Sequence, residues 1–119
     1  MAKPLASAVG AQAGERSREM KKIYLAGAIE EDPYYFSKFF DIQVELEDKG
    51  FRVISPITLP LLSCGAQIKI ASAMLEDCDA VCFLADWKNG IVARYVMGEV
   101  LAKDIDYFTY EDWKKNDAE

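Results

Sequence analysis

The chain has twenty acidic side chains, three cysteines and no histidine, and these counts bound the chemistry open to it. Without histidine, Ser-His-Asp and Cys-His nucleophile pairs are excluded, as are zinc sites that use imidazole. Cys64, Cys78 and Cys82 are odd in number and lack the paired spacing of metal ligands. Cys82 lies inside an apolar run and Cys78 just before it, so they read as small buried hydrophobes of a reducing compartment. Carboxylates and backbone groups remain. Asp86 and Trp87 follow the apolar run Ala80 to Ala85; an indole there can stack on a base or pack its own loop. Gly27 and Gly90 let backbone come close to a phosphate or ribose, or serve a tight turn. Glu99 is a carboxylate that could act as a nucleophile. Asp79, at a strand start, reads as a structural cap near the opposite edge. The P-loop and dinucleotide fingerprints are absent. A magnesium-dependent phosphoacceptor needs an acidic pair after the first strand, where Leu25-Ala26-Gly27 stand instead. Neither a cofactor nor a metal is expected.

The elements that position these residues alternate along the chain. Ile23-Tyr24-Leu25-Ala26-Gly27 is a β-type run that ends at a glycine. Asp32-Pro33 predicts an N-cap and a first helical residue, with Phe36, Phe39, Phe40, Gln43 and Leu46 on one face and Gly50 as the stop. Arg52-Val53-Ile54 is a second strand, halted by Ser55-Pro56. A helix is predicted over Gln67 to Cys78, and the most apolar strand over Ala80 to Ala85. Gly90 precedes a helix through Lys103 with a stripe of Ala93, Val96, Met97, Val100 and Leu101. A last strand over Ile105 to Tyr110 leads into a charged tail containing Trp113. This β-α-β-α-β-α-β order implies an α/β, three-layer, flavodoxin-like or Rossmann-like sandwich around a parallel sheet of four to five strands. In such sheets ligands sit beyond the carboxyl ends of the strands. That edge carries Gly27, Ala28, Ile29, Glu30, Ser55, Pro56, Asp86, Trp87 and Gly90. Tyr24 belongs to the strand that feeds it and is counted with the ligand-binding candidates, although its alternation suits a core residue.

Length and charge narrow the partners. With 119 residues there is room for one domain. Residues 1–19, rich in Ala, Gly and Ser, read as a flexible leader, and the folded unit is expected over 20–119. A net charge of −6 repels polyphosphate backbones, so no nucleic-acid partner is expected. The longest apolar run is too short to span a bilayer and the N-terminus makes a poor signal peptide, so the expected location is cytoplasmic, with no membrane partner.

The motifs also resemble a family. Ile23 to Gly27, then Lys49-Gly50-Phe51-Arg52-Val53-Ile54-Ser55-Pro56, then Cys78-Asp79-Ala80-Val81, then Trp87 with Gly90 and Ala93-Arg94, are together similar to the nucleoside 2-deoxyribosyltransferase-like proteins, and closest to a small branch in bacteria and their phages. The resemblance implies a nucleoside or nucleotide ligand, a homo-oligomer, and transfer or hydrolysis of an N-glycosidic bond by a helix-borne Glu assisted by an Asp on the preceding helix. In an ungapped register the Glu position falls on Val96 and the Asp position on Ala71. Neither can attack carbon or carry a proton. Glu99, three residues on, is about 4.5 Å further from the helix start and rotated by about 60°. It is the remaining catalytic candidate, against the plainer reading of a solvated helix-face glutamate. The alternative to an enzyme is a catalytically degenerate nucleotide-binding or assembly protein.

Overall fold

The computed structural model describes residues 21–29, 32–56 and 62–118; the leader at 1–19 and Glu30 lie outside the described residues. The elements are β1 (Lys22–Ala26), α1 (Tyr35–Asp48), β2 (Arg52–Ile54), α2 (Cys64–Glu76), β3 (Ala80–Phe83), a single 3-10 turn at Trp87–Asn89, α3 (Ile91–Lys103), β4 (Asp106–Thr109) and α4 (Tyr110–Ala118). All strand pairings are parallel and the order is β2-β1-β3-β4. The chain moves one way from β1 to β2 and the other way from β2 to β3, so right-handed crossovers put α1 and α2 on opposite faces. The fold is the three-layer α/β arrangement that the alternation predicts.

Each strand feeds two cores because its side chains alternate. Ile23 and Leu25 of β1 join Phe39 and Leu46 of α1, Cys82 and Leu84, and Trp113 of α4 on one face. Tyr24 and Ala26 join Ala71 and Leu75 of α2 and Val96 and Val100 of α3 on the other. Full burial of each such Leu, Val or Phe side chain contributes about 1.5–3 kcal/mol. At the amino edge, the Asp79 carboxylate accepts the Lys22 N–H at 2.7 Å. The Asp79 N–H donates to the Lys22 carbonyl at the same distance. That reciprocal pair ties β3 to β1 and accounts for an aspartate at a strand start.

Several boundaries differ from the sequence expectation. Asp32 is not the N-cap of α1: its Oδ1 accepts the Tyr34 N–H at 2.8 Å and closes a turn over Pro33, so the helix begins at Tyr35. Phe36 and Phe40 are 52% and 48% exposed, because the buried ridge of α1 is Phe39, Ile42 and Leu46. The stop at Gly50 is as predicted. Its φ is 97° and the Phe51 N–H returns to the Leu46 carbonyl at 3.1 Å. Helix α2 starts three residues early, where the Ser63 side chain accepts the Ala66 N–H at 3.2 Å. Leu101 is exposed rather than part of the α3 stripe. The charged tail is a helix, α4, anchored by Trp113 at 2% exposure.

Candidate functional site

The strand order reverses between β1 and β3, and the crevice beyond their carboxyl ends is where an open α/β sheet takes a ligand. The loops after β1 and β3 meet the first turn of α3 there. Gly90 lies against the β1 loop so closely that a Cβ on it would stand 2.9 Å from the Ala28 Cα and 3.1 Å from the Gly27 oxygen. Gly27 in turn faces Leu84 and Phe39, with a hypothetical Cβ 2.9 Å from Leu84 Cδ2. Both glycines therefore serve close contacts within the chain. Ala28 and Ile29 are buried, Ile29 in the core on the α1 face.

On that α1 face, three elements are clipped together by a lysine that sequence reasoning did not single out. Lys38 Nζ donates to the Ala28 carbonyl at 2.9 Å, to Asp32 Oδ2 at 2.5 Å and to Asp86 Oδ2. The other Asp86 oxygen accepts the Ala28 N–H at 3.1 Å. Both polar atoms of the Ala28 backbone and both oxygens of Asp86 are thus engaged inside the protein. Partial burial pulls the Lys38 ammonium down, but hydrogen bonds and charge attraction from Asp32 and Asp86 outweigh it and leave its pKa above the ordinary lysine value. The Lys38 hydrogen bond, helped by the Tyr34 N–H, holds Asp32 below the ordinary carboxylate range. Lys38 lies six residues after Asp32 and 48 before Asp86, so topology alone joins them.

The segments that leave the carboxyl ends of β2 and β3 carry further polar and aromatic groups. Ser55 follows β2, and its hydroxyl is buried without a hydrogen-bond partner among the described residues. Gln67, the buried polar residue of α2, donates from Nε2 to the Leu62 carbonyl at 2.9 Å. Trp87 is half-buried and packs on Phe83 with ring centroids 5.3 Å apart, while the Lys88 ammonium lies 5.8 Å from the Trp87 ring centre. Gly90 caps α3 without a side-chain hydrogen bond.

Tyr24 requires a correction. Its ring is 1% exposed inside the α2–α3 core, and burial first, then the neighbouring Cys78, raises its pKa. Val96, where the resemblance places the Glu position, is fully buried in the same core, as is Ala71. Glu99 pairs with Lys103 at 3.0 Å, about 13 Å along α3 from Gly90. The fold does not bring it to the crevice residues. Burial pushes the Cys78 thiol up to about 11 and raises Cys82 as well, so neither is a ready thiolate.

A family model described as a domain of unknown function, DUF4406, matches residues 21–107. The chain belongs to the DUF4406 family. No curated protein and no solved structure matches it. The DUF4406 match covers β1 through the first half of β4, and therefore the whole crevice, while α4 lies beyond it. Among the described residues of this DUF4406 domain, no group of three or more Cys, Asp or Glu is arranged to hold a metal ion. None of their helices is long and apolar enough to cross a membrane.

Proposed function

We propose that this DUF4406 domain binds a nucleoside or nucleotide in the crevice beyond the carboxyl ends of β1 and β3, and does not cleave the glycosidic bond. The observation that carries the reading is the strand reversal, which gathers the β1 loop, the β3 loop and the start of α3 at one edge. The buried Ser55 hydroxyl, without a hydrogen-bond partner among the described residues, supports a polar ligand beyond the carboxyl end of β2. Trp87 offers a partly exposed ring for a base. The similarity of the segments at 23–27, 49–56, 78–81 and 87–94 to nucleoside 2-deoxyribosyltransferase-like proteins supports the ligand class.

Lack of turnover follows from the side chains. Val96 and Ala71 hold the positions where the resemblance calls for carboxylates, and both are sealed in the core. Glu99 is occupied by Lys103 a full helix segment away. Fold alone confers no activity without the site.

The test is to incubate the protein with deoxynucleosides and their monophosphates, reading thermal midpoints and free base in parallel. The expected result is a ligand-dependent rise in midpoint, reduced in Ser55→Ala, with no base released. No shift with any of these ligands would remove the binding assignment. Base release that disappears in Glu99→Ala would make the protein an enzyme.

A further inference from the structure

Lys69 and Ala73 of α2 and Asp77, its C-cap, stand four residues apart along one ridge, and Ile70 and Met74 form the next ridge. Helix α2 turns Ser72 toward Tyr95 of α3, where the two hydroxyls lie 2.5 Å apart. The opposite flank of α2 faces the open edge of the sheet. There Ile54 of β2 joins Lys69, Ile70, Ala73, Met74 and Asp77 around a groove of about 510 Å³. Its floor is apolar, and its two ends carry opposite charges about 12 Å apart along the helix.

We infer that this groove is the contact surface between two copies of the chain, packed about a two-fold axis near Ala73. An interface of this symmetry must be complementary to itself. Two antiparallel α2 helices would set Lys69 of one copy against Asp77 of the other, and the axis repeats that pairing. Ala73, exposed and small, lets the helices approach at the centre while Ile70 and Met74 lose water on either side. Asp77 is free to take part. Its present bond, to Lys22 Nζ at 3.2 Å, is a surface ion pair with side chains 73% and 40% exposed, a type that contributes little.

Charge selects this face over the other exposed apolar one. On α1 the stripe Phe36, Phe40 and Val44 is also exposed, but its neighbours include Asp41, Glu47 and Asp48. Two copies meeting there would face like charge with like. In a chain of net charge −6, self-association needs locally matched opposite charges, which the α2 groove provides and the α1 stripe does not.

Sedimentation of the full chain, with circular dichroism to confirm folding, tests the proposal through charge reversal. The wild-type chain is expected to dimerise, and Lys69→Glu or Asp77→Lys alone to raise the dissociation constant about tenfold or more. An equimolar mixture of the two variants is expected to form a mixed dimer, because each opposes the other's sign at both ends. The double variant Lys69→Glu with Asp77→Lys is expected to dimerise as the wild type does. A wild-type monomer at about 100 μM would overturn the proposal, since a specific interface of this kind binds more tightly than that. So would a dimer indifferent to the single reversals, or a mixture that stays monomeric.

Discussion

Lys38 offers three N–H groups, and the fold supplies three acceptors from three separate segments: the Ala28 carbonyl, Asp32 and Asp86. Replacing it with Met removes all three bonds and leaves two carboxylates near each other without their cation. The expected loss is about 1–3 kcal/mol, read as a lower urea midpoint at unchanged slope. The pH dependence has a definite sign. Asp32 has a folded pKa below its unfolded value near 3.8, so its contribution is complete above that value and fades as pH falls through the lowered one. Lys38, raised above 10.5, contributes fully below that value and loses its contribution as pH rises through the higher one. Asp32→Asn should therefore be less stable than wild type at neutral pH, with the gap closing on acidification. A gap that stays constant down to about pH 2 would show that charge is not the cause. Gly90 makes a second test at this scale. Gly90→Ala drives a Cβ into Ala28 backbone and should cost about 1–3 kcal/mol. Gly27→Ala meets the Leu84 side chain first, whose outer atoms can move, and should cost less. Equal losses would contradict the distinction between a rigid and a yielding neighbour.

Among the elements, β1, β2, β3 and α3 were legible because their signals are local. Continuous apolar runs give buried strands, and Gly50 or Gly90 bounds a helix without help from distant residues. Handed crossovers leave only a few strand orders, and the one seen, β2-β1-β3-β4, is the flavodoxin-like one with β1 inside the sheet. What escaped has a common cause. Helix α4 contains Glu111, Asp112, Lys114 and Lys115 around one buried anchor, and a single tryptophan makes no periodic stripe. Phe36 and Phe40 share a helical face with Phe39 and Leu46 by spacing, although it is Ile42 that completes the buried ridge with Phe39 and Leu46. At the candidate site the glycines and Asp86 could be placed at the edge from sequence. The clip on Asp86 could not, because its partners are joined only by the fold. Helix α4 supplies its own test. Trp113→Ala should cost about 3–5 kcal/mol through the cavity left in the α1–α4 core. Trp113→Phe should cost much less, because the buried indole N–H has no hydrogen-bond partner to lose among the described residues. Similar losses for both would mean that indole shape, rather than apolar burial, holds α4 down. Tyr110 and Lys114 add polar ties from α4 to Glu45 of α1 at 2.9 and 3.1 Å. The Lys114 pair is half exposed and should contribute little.

For the whole molecule the excess of acid is the governing quantity. At pH 7 the formal charge is −6, and each described ion pair apart from the Lys38 clip has at least one partner about half exposed. Exposed pairs gain little in high dielectric and are screened by salt, whereas a net charge of one sign opposes the compact state throughout the molecule. The two effects push in opposite directions as salt is added. Since exposed pairs are individually weak, relief of the general repulsion should win. The thermal midpoint is expected to rise modestly as ionic strength increases from about 10 mM to about 150 mM, over which the screening length shrinks from about 30 Å to about 8 Å. Sodium chloride rather than sulfate should be used, because sulfate strengthens apolar burial by a separate route. A midpoint that falls with added chloride would mean that surface pairs, not the acidic excess, dominate the electrostatics. In Lys38→Met the negative excess grows by one charge at the carboxyl edge, so the same titration should give a steeper rise than in wild type.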